Sequence, residues 1–271
     1  MLKRGIIICC VFLTASCLFA NDLPFKSGEE LKFDIHYKYG LIMMKAGTAN
    51  YRLERNNYNG ENSYKSVLDF KTTSFFDSFF KVRDTISSHI SENIEPFYHL
   101  RIINEGKTFF KEEVIFKKSD SSFSEARIRR ENKTALRFDT ILTVNNLAYD
   151  ILNIFVFART LDYKHLKIGQ NFKLSTFIGK EKVNIVVHFD GQSIIDKSET
   201  LKYKAYKLSI DITDEVFSSP KSAMEAWISD DDNHIPLKLK AKLKIGAAEA
   251  DLVMYKNLKY PFSSEIKIPV R

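Results

Sequence analysis

The sequence predicts a mainly β protein: one large, curved antiparallel meander or incomplete barrel of about thirteen strands. Three observations predict it. Apolar and polar residues alternate with period two along most of the chain, turn residues separate the alternating runs, and only two stretches show helical spacing. "LKFDIHYKY" sets Leu31, Phe33, Ile35, Tyr37 and Tyr39 on one face and Lys32, Asp34, His36 and Lys38 on the other. "IPLKLKAKLKI" repeats the pattern from Ile235 to Ile245, as expected of a strand with one face on a core and the other in water.

Similar runs fall near 46–54, 62–72, 82–91, 97–104, 108–117, 121–130, 171–178, 182–190, 203–213, 223–229 and 248–257. Between them stand Asn59-Gly60, Glu105-Gly106, Ser119-Asp120, Gly179-Lys180, Asp190-Gly191 and the "SDDDN" of 229–233. Connections this short join neighbouring strands as hairpins.

The first helical stretch is "TSFFDSFFKVRD", residues 73–84, where Phe75, Phe76, Phe79 and Phe80 share a helical face. A short helix near 74–80, capped by Thr73 or Ser74, is expected to lie across an open end of the sheet. Its rings are either a permanent plug or a lid that lifts for an apolar ligand. The second is "NNLAYDILNIFVFARTLDY", residues 145–163, read as a longer helix near 146–161 after asparagine caps. It divides the predicted strands into seven before and six after.

Residues 1–20 read as a signal peptide: Lys3 and Arg4, then an apolar run from Ile6, then a cleavage site after Ala20. A competing route is lipidation of Cys17 at the end of "LTASC", which partly matches a lipobox. Cys9, Cys10 and Cys17, all the cysteines of the chain, lie in this leader, so no disulfide or thiol site is expected beyond it. Residues 21–271 are expected to form a single β-rich domain. "KSGEELKF" (26–33) and "KIGQNFKL" (167–174) echo one another and leave open two related halves, 25–140 and 165–258. Without Lys3 and Arg4 the formal charge of +7 becomes +5, a mild excess read mainly as a solvated surface, with peripheral contact to an envelope membrane as the alternative. No nucleic-acid-binding module is recognisable.

Recognisable catalytic chemistry is missing. His36, His89, His99, His165, His188 and His234 are spread singly, and each reads as a strand surface residue. Asp230, Asp231 and Asp232 lack the spaced ligands of a calcium loop and read as a hairpin connection. No G-x-S-x-G elbow, phosphate loop or dinucleotide fingerprint occurs. No catalytic residue, metal ligand or cofactor is therefore assigned.

"FKSGEELKFDIHYKYGLIMMKAGTANYRL" (25–53), "VRDTISSHIS" (82–91) with "PFYHLRI" (96–102), "AYDILNIFVFARTLDYKHLKIGQ" (148–170) and "AWISDDDNHIPLKLKAKLKIGAAEADL" (226–252) resemble, in that order, the segments of an exported bacterial family called domain of unknown function 3108. The resemblance implies an exported, mostly antiparallel envelope protein and carries no activity. The closing hairpins are more distantly similar to periplasmic lipoprotein carriers of the LolA/LolB kind, which implies a curved half-barrel able to hold acyl chains.

The expected function is thus a non-catalytic protein of the periplasm or outer membrane that binds an apolar or lipid-like ligand in its curved sheet, with Phe75, Phe76, Phe79 and Phe80 as candidate lid residues. Two alternatives stay open: a structural or protein-interaction module with a filled core, and an envelope hydrolase with a dispersed site.

Overall fold

The computed structural model describes residues 22–117, 124–146, 148–213 and 219–268. The chain begins with β1 (Glu29–Tyr39), β2 (Ile42–Tyr58) and β3 (Glu61–Thr72), followed by the single-turn helix α1 (Ser74–Asp77). Next come β4 (Arg83–Ser91), β5 (Pro96–Glu105), β6 (Thr108–Lys117), β7 (Ser124–Glu131) and β8 (Leu136–Val144). Helix α2 (Ile151–Arg159) precedes β9 (Asn171–Ile178), β10 (Glu181–Ser198), β11 (Leu201–Ile212) and β12 (Met224–Ser229). β13 (Pro236–Lys242), β14 (Ala247–Lys256) and the short β15 (Glu265–Lys267) end it.

Two meanders share one antiparallel sheet. β1 to β8 run outward in sequence order, β14 back to β9 run the other way, and β1 pairs with β14 between them, with Ile35 opposite Ala250. β15 adds to β11 alone. The fourteen-strand path nearly closes into a barrel, leaving β8 and β9 as edges along one unsealed seam. Across it, Phe177 of β9 packs with Val114, Ala126 and Ile128, its ring 6.3 Å from that of Phe116, and Ala148 bridges to Ser175.

Turn chemistry sets the hairpins. Asn59 and Gly60 both have positive φ, as the tight turn favoured between twisted strands requires. Gly246 turns β13 into β14 at φ +75°, and a Cβ there would stand 2.2 Å from the Lys38 carbonyl oxygen.

Helix α2 is held by the barrel rather than by its own propensity, since nine residues are too few to persist alone. Its residues are apolar nearly all round, the pattern of a helix buried on every side. Asp150 caps it, accepting from the amides of Leu152 (3.0 Å) and Asn153 (3.1 Å).

The architecture is the expected one, with several corrections. β8 and β15 were not foreseen. In "LRFDTILTV" Ile141 falls out of phase with the apolar positions, and β15 has only three residues. Among the described residues eight strands therefore precede α2 and seven follow it. Asp190-Gly191 is not a turn: the register shifts there as a bulge and β10 runs on to Ser198. α2 starts later than expected, because Asn146 accepts a hydrogen bond from Ser175 while Asp150 does the capping. α1 ends at Asp77, so Phe79 and Phe80 lie beyond it. Ser119-Asp120 falls outside the described residues.

Candidate functional site

The row of cross-strand neighbours Glu29, Leu53, Ser66 and Ser88 locates α2 within the barrel. Arg159 at one end of the helix binds Glu29, and Asp150 at the other binds Ser88. Both ends are therefore tied to the same row, and α2 crosses the barrel as a bar.

The Arg159 anchor is fully buried. Its guanidinium donates to both Glu29 carboxylate oxygens, at 2.5 and 2.9 Å, and to the Asn233 carbonyl at 3.0 Å. Burial works against the Arg159 charge, but the Glu29 carboxylate more than offsets it, so the pKa lies above its ordinary value. The "SDDDN" hairpin completes this end, with Asp231 accepting from Ser229 Oγ (2.8 Å) and the Asn233 amide (3.0 Å). Its Asn233 amide group in turn donates to the Tyr260 carbonyl at 3.0 Å.

The Asp150 anchor brings together a serine, a histidine and an aspartate, all buried. Ser88 Oγ donates to Asp150 Oδ1 (2.6 Å), and His99 Nδ1 lies 2.8 Å from the same Ser88 oxygen and 3.2 Å from Asp150. In a nucleophilic triad the serine proton goes to one histidine nitrogen and the aspartate holds the other. Here the serine proton goes to the aspartate, and both groups meet one nitrogen. The order differs from that of a triad, and Asp150 in this arrangement caps α2. The expectation that every histidine lies on a strand surface is also corrected: His99 is interior, His165 lies in the turn after α2, and His234 sits in a turn with Nδ1 2.8 Å from the Arg159 carbonyl.

Between α2 and the barrel wall lies a cavity of about 230 Å³. From α2 it is lined by Ile151, Leu152, Ile154, Phe155 and Ala158, spaced as one helical face. From the wall come Phe33, Ile35, Ala49, Tyr51 and Leu68 on β1 to β3, and further aliphatic residues of β10 to β14, Leu208, Met224 and Ala226 among them. Every lining side chain is hydrophobic, and Tyr51 alone carries a polar atom. The buried Tyr51 hydroxyl makes no hydrogen bond among the described residues, and burial raises its pKa well above the ordinary phenol range. The lining of β1 to β3 lies beyond the Glu29 row, toward the end bearing α1 and the β1–β2 turn.

None of the four candidate phenylalanines lines this cavity. Phe75 is 59% exposed, Phe79 76% and Phe80 53%; Phe76 is half-buried. The Phe75 ring lies 5.7 Å from that of Phe76 and 5.4 Å from that of Phe79. Below them Arg83 donates to both Asp77 oxygens, which with Thr72 holds that carboxyl down at about 2. The exposed rings stand beside β2, to which the Thr73 amide ties α1 through the Ala46 carbonyl. Ala20 and Cys17 lie outside the described residues.

Sequence reasoning did not place α2 inside the site, although the spacing of Ile151, Leu152, Phe155 and Ala158 is the face that now lines it. A signal for its anchor was present too: Arg159 is the one charge in an otherwise nearly apolar helix. Among the described residues no group of His, Cys, Asp or Glu is placed to hold a metal.

These features define a class: an antiparallel β-barrel with a buried crossbar helix and an apolar chamber. Its outer face carries ion pairs such as Arg52–Asp69 and Arg127–Asp139, the reverse of a membrane-spanning barrel with its apolar exterior. No described helix is long and apolar enough to cross a membrane. The chain belongs to the family described as protein of unknown function DUF3108, whose model matches residues 32–253. Among solved structures it is similar to a β-barrel-like protein of domain of unknown function DUF1849 from Brucella abortus, at 10% identity with a TM-score of 0.60, covering 87% of this chain and 100% of that one. That likeness establishes the fold alone. No curated protein matches the sequence.

Proposed function

We propose that this protein binds an apolar, lipid-like molecule in the chamber between α2 and the barrel wall, as a non-catalytic component of the cell envelope. The observation that carries the reading is the cavity itself, about 230 Å³ with a wholly hydrophobic lining. Left empty, a void of that size costs on the order of 5 kcal/mol at ~24 cal/mol per Å³. That is comparable with the net stability of a typical domain, so a chain keeping such a space gains most if something fills it. An engineered apolar cavity of about 150 Å³ already takes up benzene. The hydrophobic lining favours hydrocarbon over any charged or hydrogen-bonding ligand.

Envelope location is part of the same proposal and rests on the leader of residues 1–20. The intact mass of protein from its native envelope tests it: the chain should begin at Asn21 or at a lipidated Cys17, and a retained Met1 would sink the export reading.

Organic extraction and mass spectrometry of the purified protein test the ligand. Lipid or another apolar molecule should be recovered at near stoichiometric yield, and Ala226→Phe, which grows a ring into the chamber, should abolish recovery while the protein stays folded. If wild-type protein yields no extract and takes up no fluorescent fatty-acid probe, the chamber is not a binding site.

A further inference from the structure

Following the strands from the cavity toward α1 leads to a second surface. On β1 the pleat that points Phe33 and Ile35 into the chamber next points Tyr37 and Tyr39 the same way. Their partners on β2 are Met44 and Ile42. Tyr39, Leu41, Ile42, Met43 and Met44 are all exposed, and Leu41, at the tip of the hairpin, is fully so.

Neighbouring elements extend this patch along the rim. The β13–β14 turn leans on the hairpin through Tyr37 Oη donating to the Ile245 carbonyl at 2.8 Å, and the Ile245 side chain is exposed. α1 is tied to β2 by the Thr73 amide donating to the Ala46 carbonyl at 2.9 Å, which brings Phe75, Phe79 and Phe80 onto the same end. The Phe80 ring lies against Gly106 in the β5–β6 turn. Contiguous exposed hydrophobic surface of this kind marks an interaction site.

Charge selects the partner. Lys38, Lys71, Lys81, Lys107 and Lys244 are exposed around the patch and form no ion pair among the described residues. The nearby carboxylate of Asp77 is taken up by Arg83. Docking a second copy through this face would set lysines against lysines. Protein interfaces in general are depleted of lysine. Exposed Leu, Ile, Met and Phe ringed by lysines match the boundary between acyl chains and negatively charged head groups.

We propose that the α1 end of the barrel docks on an anionic lipid bilayer. Leu41, Ile42, Phe79 and Phe80 enter the acyl boundary, and the lysines rest on the head groups. This docking does not require a loaded cavity, so the lipid-extraction experiment and the one below fail independently.

The test is co-sedimentation of the chain from Asn21 onward with vesicles of phosphatidylcholine alone or mixed equally with phosphatidylglycerol. The wild-type chain should sediment with the mixed vesicles and stay in solution with the neutral ones. Leu41→Asp with Ile42→Asp should weaken binding about tenfold or more. Lys81→Ala with Lys107→Ala should weaken it about fivefold per charge, an effect that shrinks in high salt. Phe79→Ser with Phe80→Ser tests the α1 side separately from the hairpin. All these positions are exposed, so circular dichroism and the melting temperature should stay at wild-type values. Three results would overturn the proposal: no binding to either vesicle, binding unchanged by the apolar variants, or a dimer in solution that Leu41→Asp dissolves.

Discussion

Arg159 and Glu29, 130 residues apart in sequence, form a fully buried two-bond pair that ties α2 to the start of β1. Its Arg159 ends the helix that lines the cavity, so the integrity of the pair and that of the chamber are linked.

Removing one partner strands the other charge in the core. Glu29→Gln and Arg159→Met should each cost about 3–5 kcal/mol in denaturant titrations. The double variant should cost less than the sum of the two, since no uncompensated charge remains. Strict additivity would mean that the pair does not act as a unit.

Two leucines of equal burial separate stability from binding. Leu53 and Leu208 are both 0% exposed, but only Leu208 lines the cavity. Either change to alanine should cost about 2–5 kcal/mol. Affinity for a fatty-acid probe should change for Leu208→Ala and hold for Leu53→Ala, and equal effects on the probe would displace the site from the chamber.

The two turn glycines differ in what surrounds them. Gly40 has open space at φ +59°, so Gly40→Ala should cost only the left-handed penalty of about 1–2 kcal/mol. Gly246→Ala adds a collision with the Lys38 carbonyl at 2.2 Å and should cost more, shifting the β13–β14 turn. Thermal melts rank the pair, and the reverse order would refute the turn geometry.

Asp77 should titrate at about 2 because Arg83, and then Thr72, bind its carboxylate form. The sign follows from a folded-state pKa below the ordinary 3.8: the Asp77 contribution is present above that value and is lost as pH falls through about 2. Carboxyl carbon chemical shifts should give that midpoint in wild type and one nearer 3.8 in Arg83→Ala.

The candidate site shows where sequence reading stops. The face of Ile151, Leu152, Phe155 and Ala158 was visible as helical spacing, yet a spacing does not say what a face meets. The four phenylalanines share a helical pattern that reads equally well as plug or lid, and the structure leaves three of them largely exposed on the rim. The lysines around them come from five separate segments and form no run in the sequence, so their gathering at one end was not legible there.

By itself the sequence determined the β class, most hairpins and the existence of both helices, because alternation, turn chemistry and helical spacing are properties of neighbouring residues. Only the tertiary structure decided that β1 pairs with β14, that α2 crosses the barrel from Ser88 to Glu29, that a cavity remains above it, and that the apolar hairpin and the lysines share one end. Those outcomes depend on contacts between residues far apart in the chain, whose partners no local pattern specifies.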